Sequence, residues 1–486
     1  MTVHDAFRDR YGSYVDGEER PGDETFTVFD PATGDPLTAV TEAGPEGVDA
    51  AVEAAQAAQD EWADRDPVER GRALREVADR FRAEAERFAA IETVDCGRPT
   101  GESRGLMHAA AGFFEYYAGM ADKVEGETIP VPGDRHNYTV REPLGVIGVI
   151  LPWNGPLLLG ARSIPAALAC GNAVVVKPAP EAPVSTLEFA ALVDDVLPSG
   201  VFNVVPGDGP TTGAALVEDD RLGRVMFTGS REVGRTVLRS AADNIVPVGL
   251  ELGGKNPNVV FPDADVDRVV EDSLRAFYNA GQVCFAPTRL FVHESIYEDV
   301  LGPFADAVRD MTVGPGVENP DLGPLITPEA QERVAGYVEE AVADGARVRV
   351  GGGIPREAGN FYAPTILENV ADDAPVACDE VFGPVIVAHS FESESEVVRR
   401  ANAVDYGLNA VVWTNDLARA HRVAGNVEAG SVTVNEYPAS FAQAPSGPYK
   451  ESGLGREKGK QAVEEYTNLK NVNVSLSGET DTLFEE

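Results

Sequence analysis

The stretch Val146-Ile147-Gly148-Val149-Ile150-Leu151-Pro152-Trp153-Asn154 reads as a buried strand stopped by a proline. A short, continuous apolar run ended by a turn signal is the pattern of a strand covered on both faces. Working outward, similar runs occur at 173–176, 201–205 and 224–227, with stretches of helical pattern between them, such as 185–196. Strands alternating with helices predict an α/β fold built on a parallel sheet, the usual frame for binding a nucleotide. A second series starts at 256–261. There Asp263 or Asp265 is placed to cap a helix running towards Gly281, and further strands are expected at 290–292, 348–350, 385–388, 410–413 and 432–435. Upstream, 48–63 and 67–94 carry apolar residues at helical spacing. The sequence holds no internal repeat and no low-complexity linker.

Composition narrows the class. A chain of 486 residues exceeds one small core and points to two or three domains. With 43% hydrophobic residues and no run of eighteen apolar ones, it reads as globular and without a membrane span. Met1-Thr2-Val3-His4-Asp5 has neither a basic region nor an apolar core, so a cytoplasmic protein without a secretory signal is expected. Eighty acidic residues face 40 basic ones, a net charge of −40, and only seven of the basic ones are lysine. The acids are dispersed along the chain in pairs and triplets, which reads as a halophilic surface and not as a disordered tail. Nucleic acid is not an expected partner, because phosphate binding needs basic patches. Cys96, Cys170, Cys284 and Cys378 are far apart, with no CxxC pair and no histidine cluster, so neither a disulfide framework nor a metal site is expected. Small buried apolar residues are the default for such cysteines, and that reading is kept for all but Cys284.

Cys284 ends the stretch Asn279-Ala280-Gly281-Gln282-Val283-Cys284. Glu251 opens Glu251-Leu252-Gly253-Gly254-Lys255, 33 positions upstream, and Asn154 ends Pro152-Trp153-Asn154. A thiol, a carboxylate and an amide donor are the groups that oxidise an aldehyde through a thioester. The thiol attacks the carbonyl, the amide steadies the oxyanion, and the carboxylate activates the thiol or a hydrolytic water. Each alone has a plainer reading: a packed thiol, a strand end before a glycine turn, a turn with a capping asparagine. No histidine stands near Cys284 in sequence to form a Cys–His dyad. Phe227-Thr228-Gly229-Ser230 running into Glu232-Val233-Gly234 gives a strand and a Gly-bounded helix start, whose N–H groups suit a pyrophosphate. Gly207-Asp208-Gly209 follows another strand, a common kind of turn.

Together the three segments, in this order and spacing, resemble the signature of the aldehyde dehydrogenase superfamily, and the resemblance runs from about residue 12 to 475. It implies a Rossmann-type cofactor domain (1–124 and 144–252), an α/β catalytic domain (253–450), and a β-strand oligomerisation arm (125–143 and 451–486) pairing subunits into homodimers or homotetramers. It implies Cys284 as nucleophile, Glu251 as general base and Asn154 as oxyanion donor. Cofactor contacts fall by resemblance on Ile150, Leu151, Pro152, Trp153, Lys177, Pro180, Gly207, Gly229, Ser230, Val233, Gly234, Leu252, Glu380 and Phe382. Relatives that use NAD often carry a glutamate three positions after the lysine; Pro180 stands there, with Glu181 next. NAD and NADP both remain open, and the acidic Glu181 favours NAD.

The resemblance also implies a substrate pocket at Gly155, Arg162, Phe285 and Ser446, four positions that depart from the fatty-aldehyde pattern. An arginine at 162 resembles the succinate-semialdehyde and lactaldehyde dehydrogenases, where it meets a polar or carboxylate end. A semialdehyde acid or polar aldehyde is therefore expected. Tyr278 stands where the second arginine of the succinate-semialdehyde enzymes would be, and Arg162 is equally consistent with pairing to a protein carboxylate. Two alternatives stay open: an acylating, coenzyme A-dependent semialdehyde dehydrogenase, whose branch typically lacks the equivalent of Glu251, and a non-catalytic ligand-binding homologue.

Overall fold

A computed structural model describes residues 7–477. The N-terminal residues 1–6 and the end of the expected arm, 478–486, lie outside the described residues. Five parallel strands form the heart of the first sheet, in spatial order Val248–Glu251, Leu222–Thr228, Val146–Ile150, Ala173–Lys177 and Phe202–Val204. The uniform apolar run at 146–150 follows from burial on both faces. Ile147 and Val149 pack with Leu74, Phe113 and Leu157 in one core, while Val146 and Ile150 pack with Val52 and Val237 in another. Each such side chain contributes about 1.5–3 kcal/mol by leaving water. Antiparallel strands Ser13–Val15 and Glu18–Arg20 extend one edge, and Gly453–Leu454 extends the other.

Strand order reverses at Val146–Ile150: the next strand in the chain lies on one side of it and Leu222–Thr228 on the other. At such a reversal the two outgoing loops diverge and leave a crevice beyond the carboxyl ends of the strands. Pro152-Trp153-Asn154 and Gly229-Ser230 are those two loops.

The second sheet places six parallel strands in the order Thr365–Glu368, Val385–Phe391, Arg289–His293, Pro257–Val260, Asn409–Trp413 and Ser431–Val434, with Arg347–Val350 antiparallel at one edge. The segment 252–256 links the two sheets. A third sheet pairs Arg135–Pro143 with Thr467–Ser475 over nine residues and with Thr128–Ile129.

Several expectations need revision. The single helix expected over 67–94 is two, Pro67–Ala83 and Ala85–Asp95, broken at Glu84, and the bend lets Phe88 meet Phe81 edge-on at 5.2 Å. Of the two candidate caps, Asp265 accepts the N–H of Arg268, while Asp263 binds Thr414 and Arg419. Residues 451–466 were assigned to the arm, yet Gly453–Leu454 pairs with the first sheet and Ala462–Glu465 lies near the helix Pro156–Ala169. Cys96 and Cys170 are buried as expected, but Cys378 is only half-buried and its thiol donates to the Asp372 carbonyl at 3.2 Å.

Candidate active site

The Glu-Leu-Gly-Gly-Lys segment shows why its two glycines are needed. A Cβ on Gly253 would lie 2.0 Å from a Glu380 carboxylate oxygen, and one on Gly254 would lie 2.6 Å from the Cys284 carbonyl oxygen. Glu380 accepts the N–H of Gly254 at 3.2 Å. Just beyond, the Asn256 side-chain amide donates to the Cys284 and Ala286 carbonyls at 2.9 and 3.0 Å. The link between the two sheets therefore fixes the main chain of the cysteine.

The approach to Cys284 is unusual backbone. Asn279, Ala280 and Gly281 have φ of 50°, 53° and 72°, three successive left-handed residues. Each non-glycine residue there costs about 1–2 kcal/mol, and the neighbouring structure must hold the turn. Gln282 does part of this: its side chain donates to the Asn279 carbonyl at 2.9 Å and accepts the Ile326 N–H at 2.9 Å.

Cys284 lies on the common wall of two cavities of about 400 Å³ each. The first is also lined by Pro152, Trp153, Asn154, Gly229, Ser230, Glu251, Leu252, Glu380 and Phe382. It thus gathers the three expected catalytic residues and seven of the expected cofactor residues. Trp153 and Phe382 meet edge-on at 5.5 Å. Ser230 caps the helix Arg231–Asn244 by accepting the Val233 N–H, so the positive end of that helix faces the crevice.

The remaining expected cofactor residues do not line this cavity. Ile150 and Leu151 are buried, Gly234 packs against Leu252, and Val233 is exposed on the first helical turn. Lys177 lies one strand over, its carbonyl accepting the Leu151 N–H at 2.9 Å. Its ammonium is buried, which lowers its pKa to about 8 against the opposing pull of Glu181, Glu42 and Asp208. Pro180 is half-buried in the turn after it. Gly207 abuts Glu42, whose carboxylate accepts from the Asp208 N–H and the Thr212 hydroxyl.

The second cavity is lined by Gly155, Leu106, Leu158, Arg162, Tyr278, Phe285 and Tyr437 among others. Phe285 and Tyr278 flank Tyr437 at 6.1 and 6.0 Å. A small pocket of about 70 Å³ adjoins Cys284 and holds Ser446, Phe285, Arg162 and Lys458. All four expected substrate positions thus surround the thiol. Arg162 is not a free cation, however: Glu457 stands 3.8 Å away. The guanidinium keeps one buried donor, Nε, without a hydrogen-bond partner among the described residues.

Electrostatics around the thiol are tightly linked. Burial pushes Cys284 up to about 12, opposed by Arg162. Burial, and then the carboxylate of Glu457, hold Glu251 well above the usual carboxylate range. One Glu251 oxygen, Oε1, is buried without a hydrogen-bond partner among the described residues, so it is free to take a proton. The Asn154 side-chain amide donates to the Gln282 carbonyl at 2.9 Å. Sequence reading missed Glu457, Lys458, Tyr437, Glu102 and Arg98. Only Lys458 left a trace, as one of seven lysines.

The class of protein follows from this geometry and from likeness to known chains. The aldehyde dehydrogenase family model matches residues 18–472. The hydroxyisobutyraldehyde dehydrogenase of Mycolicibacterium austroafricanum is 41% identical, over 95% of this chain and 93% of that one. The betaine aldehyde dehydrogenase of Bacillus subtilis is 39% identical, over 94% and 96%. The solved NAD+ complex of an aldehyde dehydrogenase from Bacillus cereus superposes with a TM-score of 0.96 at 39% identity, covering 98% of both chains. The chain belongs to the aldehyde dehydrogenase family and has its fold, and the family's members are oxidoreductases acting on aldehydes.

Proposed function

We propose that this enzyme oxidises a short polar aldehyde to the free acid with NAD, through a thioester on Cys284. The observation that carries the reading is the position of Cys284 on the wall shared by two cavities, with Glu251 and Asn154 beside it. The cavity at the strand-order reversal, with its two close-approach glycines and the capped helix start, fits a dinucleotide. Trp153, Ser230, Glu380 and Phe382 would hold its nicotinamide half, and Lys177 would hold the adenosine ribose.

Glu251 takes the thiol proton, and the sulfur of Cys284 bonds to the aldehyde carbon while the Asn154 amide and the Cys284 N–H steady the oxyanion. A bound nicotinamide would supply the acceptor for the hydride of this carbon, and loss of that hydride would leave a thioester on Cys284. Once it has released the thiol proton to solvent, Glu251 removes a proton from water. The hydroxide adds to the carbonyl, the carbon–sulfur bond breaks, and the acid leaves.

Three carboxylates around Lys177 support NAD over NADP, since each would repel a 2′-phosphate. Arg162 Nε, buried without a hydrogen-bond partner among the described residues, supports a substrate with a polar or carboxylate far end. For assembly, the exposed nine-residue strand Thr467–Ser475 presents an open edge, with Leu469 and Val474 exposed on it, and we assign it to subunit pairing. The test is a panel of neutral, hydroxy- and carboxy-aldehydes assayed with NAD+ or NADP+ in molar KCl, with and without coenzyme A. Dependence on coenzyme A would favour the acylating alternative, and no turnover of any aldehyde would favour a binding role.

A further inference from the structure

One buried charged cluster takes no part in the chemistry above, yet it touches both of the turns that perform it. Arg98 is 2% exposed and Glu92 is fully buried. Arg98 Nη1 donates to Glu92 Oε2 at 3.2 Å, and Nη2 donates to the main-chain carbonyl of Asn154. Its Nε lies 4.0 Å from Glu102 Oε2, and that same oxygen accepts the N–H of Asn279 at 2.9 Å. Glu92, for its part, accepts the N–H of Leu157 at 3.2 Å, in the first turn of the helix that follows Asn154.

The guanidinium thus stands between two loops that come from different sheets. On one side is the turn bearing the oxyanion donor; on the other is the left-handed turn that delivers the nucleophile. We propose, resting on the roles given to Asn154 and Cys284 above, that Arg98 is a positioning residue that sets the separation of these two turns, through the Asn154 carbonyl directly and through Glu102 to Asn279. A planar fork can donate to Glu92 and to the Asn154 carbonyl in fixed directions while keeping its charge beside Glu102, and a lysine ammonium cannot hold that geometry. The purpose is alignment. The Asn154 amide must meet the oxygen of an aldehyde bonded to Cys284, and a misplacement of about 1 Å can cost about a hundredfold in rate.

Arg98→Lys tests this without removing the charge that Glu92 needs. We expect a melting temperature near the parent's, unchanged NAD+ affinity, little change in KM, and kcat lower by at least about tenfold. Glu102→Ala releases Asn279 while leaving the Arg98 contact to Asn154. It should also lower kcat, and combined with Arg98→Lys it should cost less than the product of the two single losses. A folded Arg98→Lys enzyme with kcat within twofold of the parent overturns the proposal, whatever its melting temperature. If that variant does not fold, Glu102→Ala decides alone, and an unchanged kcat overturns the proposal equally. Cys284→Ala run alongside separates the two levels. If it keeps turnover, the underlying assignment fails; if it is inactive while Arg98→Lys is fully active, only the positioning role fails.

Discussion

The two cavities that meet at Cys284 are built on different principles. The cofactor-side wall comes from loop segments at strand ends, Pro152–Asn154, Gly229–Ser230, Glu251–Gly253 and Glu380–Phe382, and glycines there admit close approach by carboxylate or backbone. The other wall comes from side chains on helices and on distant loops: Leu106, Leu158, Arg162, Tyr278, Phe285 and Tyr437. Backbone geometry shapes the first and side-chain identity shapes the second. Substitutions on the first side should therefore change rate, and those on the second, apart from the positioning pair Arg98 and Glu102 that also lines it, should change which aldehyde is accepted.

The largest test acts on the wall that both share. Cys284→Ala should lower aldehyde oxidation by at least about a thousandfold while NAD+ binding, followed by fluorescence titration, is retained. Glu251→Gln should lower steady turnover by about a hundredfold or more. Stopped-flow traces should still show a burst of NADH, because acyl transfer to water suffers more than hydride loss; equal slowing of both phases would place the base elsewhere. On the second side, Arg162→Leu should raise KM for a carboxy-aldehyde by about ten- to a hundredfold, the value of one charged hydrogen bond, and spare small neutral aldehydes. Equal losses on both would assign Arg162 to holding Glu457.

A smaller effect is expected in the pH profile. Glu251 is held above the usual carboxylate range, so its basic form grows as pH rises and the rising limb of kcat should lie above the range of an ordinary carboxylate. Glu457 is one cause of that elevation. Glu457→Gln should lower the Glu251 pKa and move the rising limb to lower pH, and an unmoved limb would uncouple the two carboxyls. Smallest, and common to both regions, is the effect of salt. Below about 0.1 M the screening length exceeds about 10 Å, so the dispersed acidic excess repels itself. The thermal midpoint should rise from low to molar KCl, and a flat or falling midpoint would remove the halophilic reading.

How much could be read in advance follows the same division. The 146–151 run, its alternation with helices and the Gly-Gly turn were legible, because burial on two faces and close backbone approach leave one-dimensional marks. The order of the strands was not legible, and it is the order that creates the crevice. Glu457 lies 206 positions from Glu251 and is brought to it by the antiparallel edge strand Gly453–Leu454, which the family resemblance placed in an arm. Arg98 was equally invisible, since nothing in Cys96-Gly97-Arg98-Pro99 indicates that its partners are Asn154 and Glu102. Arg162 was found, but its neighbour across space changed what its charge is free to do.

The three left-handed residues before the nucleophile bear on how far this enzyme can be redesigned. Asn279, Ala280 and Gly281 are constrained by conformation, so β-branched replacements there would be rejected whatever their chemistry. Tyr278 and Phe285, on either side of the segment, have ordinary backbone and face the second cavity. A library aimed at new aldehydes should diversify those two flanking positions and leave the three between Tyr278 and Gln282 untouched; the tolerance of this loop changes sharply from one residue to the next.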